Sequence, residues 1–194
     1  MKLHFRQLTL DDRHEYLALM LTAYAPIREL GIHFDAATAD LARVSLHLEQ
    51  HAVYALFADD TLASSLTLRF PWGPLPGPFG LPHIGWFGTD PQFRGRQLGR
   101  HLLEWVEQHI LHDRLKAPAV SLGTAINHPW LKEMYQQLGF VPQHQTDLGK
   151  GHITLYMKKI LDDAAHTQWM RKHATDANNS VAAPSASSVS QELR

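Results

Sequence analysis

The chain reads as a mixed α/β domain of the α+β kind, and three observations carry that reading. Short apolar runs bounded by Pro, Gly and Asp alternate with amphipathic helical stretches along most of its length. One such run, residues 83–89, passes through Asp-Pro-Gln-Phe-Arg-Gly-Arg-Gln-Leu-Gly-Arg straight into a leucine-rich helix, a strand, loop, helix unit. The length of 194 residues suits one domain with a substantial core and leaves little room for a second.

Taken in order, residues 3–8 alternate as a first strand, and Thr9, Asp11 and Asp12 supply capping chemistry for a helix over residues 13–24, which Pro26 is expected to end. Residues 35–50 read as one helix with Leu41, Val44 and Leu48 on a common side. Strands follow at 52–58 and 61–70, joined by a hairpin turn at Asp59-Asp60. Residues 71–82 are too rich in Pro and Gly for regular structure and read as a long loop. Behind the strand at 83–89, Leu102, Leu103, Val106 and Ile110 share one helix face. Residues 119–125 form a strand, residues 128–138 a helix with Gly139 as its cap, and strands begin at 141 and at 153–160. The domain thus spans residues 1–160. Residues 161–194 form an extension, weakly helical around Trp169 and Met170, then small, polar and flexible.

Composition excludes several functions. The net charge of -1 gives no global pull towards nucleic acid or an anionic membrane. No apolar run is long enough to span a bilayer, and the N-terminus lacks the apolar core of a signal peptide, so the expected location is cytoplasmic. The absence of cysteine removes disulfides, thiolate metal sites and a thiol nucleophile. The 14 histidines are scattered without metal-ligand spacing, so no metal is expected.

The loop between residues 90 and 100 has the chemistry of a pyrophosphate socket. Gly95 and Gly99 let backbone approach a ligand, the following helix points free N–H groups at it, and Arg94, Arg96 and Arg100 add cations. The loop lacks the G-x-G-x-x-G spacing of a dinucleotide fold.

These residues, with the later run His128-Pro-Trp-Leu-Lys-Glu-Met-Tyr-Gln-Gln-Leu-Gly-Phe140, resemble the GNAT superfamily of N-acetyltransferases. The resemblance implies a mixed sheet of six to seven strands flanked by about four helices, with two central strands splayed apart. It implies acetyl-coenzyme A as co-substrate, bound between the strand ending at Thr89 and the strand at 119–125. Phe87, Gly88 and Thr89 would then meet the pantetheine arm, and Gln92, Arg94, Gly95, Arg96, Gln97, Leu98, Gly99 and Arg100 the pyrophosphate. Gln97 departs from the family pattern, which has Gly or Ala there. Asn127 or His128 would also contact the coenzyme: His128 falls on the family's spacing to Tyr135, whereas Asn127 has the family's residue type and equally suits a helix cap.

By the same resemblance Tyr135 would protonate the departing thiolate, although a tyrosine there equally suits half-buried packing. The family's general base is often a Glu on the strand before the loop, and this strand has none; His83, near that place, is the candidate, with a water chain or a surface role as the alternatives. The acceptor cleft would lie near Tyr24, Arg28, Glu29, His33 and Asp35, with Trp72, Phe79 and Trp86 opposite. Glu29 and Asp35 would hold a cationic amine, with Trp86 beside it. The expected activity is direct acetyl transfer to a primary amine on a small molecule or peptide, by a monomer or homodimer that uses neither nucleic acid nor membrane. A non-catalytic acyl-coenzyme A binding module of the same fold is the alternative.

Overall fold

The computed structural model describes residues 1–181, with side chains described to residue 174. Its centre is a seven-stranded sheet of order β1-β2-β3-β4-β5-β7-β6, built from β1 (Leu3–Gln7), β2 (Ala52–Ala58), β3 (Thr61–Arg69), β4 (His83–Thr89), β5 (Ala119–Ala125), β6 (Val141–Asp147) and β7 (Ile153–Ile160). Every pairing is antiparallel except β4 with β5.

Strand β2 is buried on both faces, and its side chains divide by the period of two that a pleated strand imposes. Tyr54, Leu56 and Ala58 enter one apolar cluster, and Val53, Ala55 and Phe57 enter another. The first cluster is closed by helix α4 (Leu98–Val106) through Leu98, Leu102, Leu103 and Val106, and by α5 (Leu131–Gln137) through Leu131 and Tyr135. The second is closed by α1 (Arg13–Ala23) through Tyr16, Leu19 and Met20, and by α3 (Leu41–Gln50) through Val44. Helices on both faces of one sheet therefore make the mixed architecture expected, with α2 (Ala25–Glu29) added to the four helices foreseen and α6 (Asp163–Val181) where the extension was expected to be weakly helical.

Several boundaries differ from expectation for local reasons. Pro26 does not end a helix; it sits in the first turn of α2, where its missing N–H is spare, while α1 stops at Ala23. Residues 35–50 are two pieces, a short 3₁₀ turn Asp35–Thr38 and then α3, because Ala39 is extended and Asp40 caps α3 by accepting the Arg43 N–H at 2.7 Å. His128, Pro129 and Trp130 lie in the turn before α5. Helix α4 runs on as a π-helical turn over Glu107–His112. The edge strand β6 tolerates Pro142 at a bulge.

Helix α6 is capped by Asp162, which accepts the Ala165 N–H at 2.8 Å, and it lies along the Pro-rich loop: a Cβ on Gly80 would sit 3.9 Å from Trp169 and 3.8 Å from His173. It continues to Val181, through part of the small polar stretch expected to be irregular; the rest of that stretch lies outside the described residues.

Candidate active site

The site begins where two strands part. Strands β4 and β5 are in register only at His83 with Ser121 and Ile84 with Leu122, and beyond that they diverge. The divergence follows from a bulge in β4. Gly85 pairs with Thr67 and Gly88 with Ser65, so β4 carries one residue more than β3 across the same stretch, and Trp86 takes a positive φ of 43° to absorb it. Trp86 is held in that conformation by stacking on His47, ring centroids 3.9 Å apart.

The opening between the strands leads into a cavity of about 220 Å³. Gly85, Trp86 and Phe87 of β4, Gly123 and Thr124 of β5, Leu131 and Tyr135 of α5, and Tyr24 at the end of α1 meet around it. Tyr135 is 8% exposed, and burial pushes its phenol above the ordinary range, so the O–H keeps its proton at any physiological pH. Tyr24 donates its O–H to the Phe87 carbonyl at 3.1 Å, tying α1 to the bulge. Gly88 is required there: a Cβ would come within 2.9 Å of Ala23.

His83 is not the surface residue that its place at a loop end suggested. It is 2% exposed, its Nδ1 lies 2.8 Å from Ser121 Oγ, and it lines the cavity beneath Gly77, where a Cβ would meet the imidazole at 2.7 Å. Burial, helped by the nearby Arg69 charge, holds the imidazole down to about 3. His83 is therefore neutral in the free protein and a weak base.

The other end of β4 leads to the loop expected to hold an anion. Ser64 Oγ bonds the Gly88 carbonyl at 3.0 Å and Thr89 Oγ1 at 2.9 Å, fixing the exit of the strand. Asp90 then caps the 3₁₀ turn Pro91–Phe93, accepting from the Gln92 N–H and, at 2.9 Å, from the Gln92 side chain, so Gln92 is turned back on its own loop. Gly95 and Gln97 both have left-handed backbone, φ 79° and 55°. That explains the family's small residue at this position; here Gln97 takes the conformation and leaves its side chain exposed. Among the described residues, the amides of Gly95, Gln97, Leu98, Gly99 and Arg100 have no hydrogen-bond partner in the protein. Five free donors at the start of α4 are what a diphosphate could accept hydrogen bonds from. Gly99 packs against β4, since a Cβ would fall 2.7 Å from Thr89 Oγ1.

The arginines divide. Arg94 is exposed, and its side chain makes no hydrogen bond or ion pair among the described residues. Arg96 lies over the Phe93 ring and against Met1, and Arg100 pairs with Glu104 at 2.7 Å. Asn127 is exposed in the turn after β5, and His128 is buried there with an unpartnered Nδ1; neither lines the cavity.

Of the residues expected on the acceptor side, Tyr24, Asp35 and Trp86 line the cavity, whereas Arg28, His33, Trp72 and Phe79 do not, and neither does Glu29, the exposed last residue of α2. Residues that the sequence reading passed over also line the cavity: Arg43, His47, His51, Arg69, Lys150, His152 and Tyr156. A readable signal existed for Arg69, the only charged residue in β3. None existed for the histidines.

The model of the acetyltransferase (GNAT) family matches residues 17–140, the span that holds the loop with its free amides, the bulged strand and the parted parallel pair. The chain belongs to the GNAT family. Its GNAT fold has a TM-score of 0.63 to the ribosomal-protein-S18-alanine N-acetyltransferase of Escherichia coli, at 13% identity over 83% of this chain and 95% of that one. A PaiA N-acetyltransferase from Thermoplasma acidophilum, solved with coenzyme A, also scores 0.63, at 15% identity over 82% and 99%. In sequence this GNAT protein is 50% identical to the S-(2-succino)cysteine N-acetyltransferase of Bacillus subtilis (strain 168), over 83% of its length and 98% of that enzyme's. It is 40% identical to the S-alkylcysteine N-acetyltransferase of the same organism, over 81% and 88%. The protein is accordingly an enzyme of the acetyltransferase class, and the non-catalytic alternative is set aside.

Proposed function

We propose that this enzyme transfers the acetyl group of acetyl-coenzyme A to the α-amine of a cysteine that carries a substituent on sulfur. The observation that carries the proposal is the parting of β4 from β5 after Ile84. It opens a passage with the free amides of residues 95–100 at one end of β4 and Tyr135 and His83 within the cavity at the other. The two cysteine-directed relatives supply the acceptor class.

The residues fit the coenzyme on their own chemistry. Five unpartnered amides and the free Arg94 suit a diphosphate, and the backbone of β4 freed from β5 suits the amides of a pantetheine arm. The thioester supplies an activated acetyl group. The chain's residues do the rest: they orient the amine, exclude bulk water and manage two protons. As the C–N bond forms and the C–S bond breaks, negative charge gathers on sulfur, and the Tyr135 O–H donates to it. Because burial keeps that phenol protonated, the donor is available throughout.

The acceptor must attack as a free amine. His83, neutral down to about 3, is too weak a base to hold the proton of an ammonium group, so its part is to accept a hydrogen bond from the attacking N–H while water takes the proton. On this proposal His83 and water both take part, with different tasks. The proposal is tested by incubating the protein with acetyl-coenzyme A and S-(2-succino)cysteine and following free thiol and product mass. Stoichiometric thiol and an N-acetylated product support it; thiol release equal to the enzyme-free blank overturns it.

A further inference from the structure

The cavity contains one cation that makes no hydrogen bond or ion pair among the described residues. Arg69 ends β3, paired in register with His83 at the start of β4. Its Nε is fully buried and has no hydrogen-bond partner, and among the described residues its guanidinium forms no ion pair. The other cations of the cavity are shared out: Arg43 at 3.4 Å and Lys150 at 3.7 Å both lean on Asp35. Arg43, Arg69 and Lys150 thus line the cavity against the single carboxylate of Asp35, and the charge left over sits on Arg69.

A half-buried guanidinium whose Nε is buried without a hydrogen-bond partner, and whose nearest carboxylate, Asp35, is already bonded by two other cations, suits an anion that arrives from outside. The guanidinium lies beside Gly85, where even a Cβ would be 3.7 Å from Nε, and Gly85 itself lines the cavity. The diphosphate socket is not the source of that anion. Arg69 faces the His83 end of β4, and the socket follows Thr89, about 20 Å away at the rise of a strand. The residues between them, Gly85 to Phe87, are those at which the acetyl group would be delivered.

We propose that Arg69 is the acceptor-recognition residue of this enzyme, its planar fork receiving a carboxylate of the amino acid substrate at the end of the cavity remote from the coenzyme's phosphates. This rests on the acceptor class proposed above, and it adds which side chain reads that class. The carboxylate is either the α-carboxylate, common to every cysteine derivative, or one borne on the sulfur substituent.

The experiment compares Arg69→Met and Arg69→Lys with the parent protein on three acceptors: S-(2-succino)cysteine, S-methylcysteine and 2-(methylthio)ethylamine, which has no carboxylate. Arg69→Met is expected to raise KM about 10- to 100-fold for carboxylate-bearing acceptors, the scale of a lost charge-assisted pair, with KM for acetyl-coenzyme A within about twofold. Arg69→Lys recovers part of the loss. A loss on both cysteine derivatives assigns the α-carboxylate; a loss on the succino compound alone assigns the substituent. Unchanged KM on all three, or an equal loss on 2-(methylthio)ethylamine, overturns the proposal. If the parent protein acetylates none of the three, the acceptor class itself is wrong. Arg69 is then judged by succinate, which must raise the melting temperature of the parent and not of Arg69→Met, and equal shifts overturn it.

Discussion

Mild acid removes stability from this fold through two buried imidazoles, His47 and His83. Both are almost inaccessible, 4% and 2% exposed, and burial holds each down to about 3 against an unfolded value of 6.5. Above 6.5 both states are neutral and the fold has its full stability. Below 6.5 the unfolded chain takes up protons that the native state refuses, so stability falls with pH until the folded values near 3 are reached. Each group removes about 1.4 kcal/mol per pH unit in that window. At about pH 5 that is about 2 kcal/mol each and about 4 kcal/mol together, a large share of the stability of an ordinary domain. His47→Gln isolates one group, since glutamine can keep the bond that His47 Nε2 makes to Thr67 Oγ1 at 2.8 Å. Urea unfolding near pH 7 and pH 5 should show the variant losing about 2 kcal/mol less than the parent over that interval. Equal losses in the two proteins would refute the claim that a buried neutral His47 contributes to acid lability.

Three further outcomes follow from the site. Tyr135→Phe should lower kcat about 100-fold while KM for acetyl-coenzyme A stays within about threefold, read by thiol release, because only the donor to sulfur is removed. Gly99→Val should weaken coenzyme binding and cost about 1–3 kcal/mol in urea unfolding, because its Cβ would collide with Thr89 Oγ1, which anchors the end of β4. Gln97→Gly should raise stability by up to about 1 kcal/mol by relieving a left-handed residue at the entry to α4, with coenzyme affinity by calorimetry unchanged, since the backbone N–H is the group that binds.

The strands were legible because their ends carry local chemistry. Pro82 before β4, Pro118 before β5 and Gly151 before β7 mark where apolar runs begin, and the structure starts those strands at the expected residues. Helix limits were less legible where two local signals competed. Asp40 is as good a cap as Asp35, and a proline in the first turn of a new helix looks the same in sequence as one that terminates the old. The loop of unpartnered amides was legible because glycines, arginines and a helix start are consecutive in the chain. The acceptor cavity was not, since Arg69, His83, Tyr135 and Lys150 come from four separate segments that only the sheet order brings together. The bulge at Trp86 left no local trace either: an aromatic residue with positive φ is held by its packing on His47, which lies far away in sequence. Glu29 looked suited to an amine by charge alone, and the short helix α2 turns it outward.

The most direct test of the account is a crystal structure of the protein with coenzyme A and N-acetyl-S-(2-succino)cysteine. The account predicts the diphosphate on the amides of residues 95–100, the coenzyme sulfur within hydrogen-bond reach of the Tyr135 hydroxyl, and a product carboxylate on Arg69. A coenzyme lying outside the gap between β4 and β5, with its sulfur away from Tyr135, would contradict it.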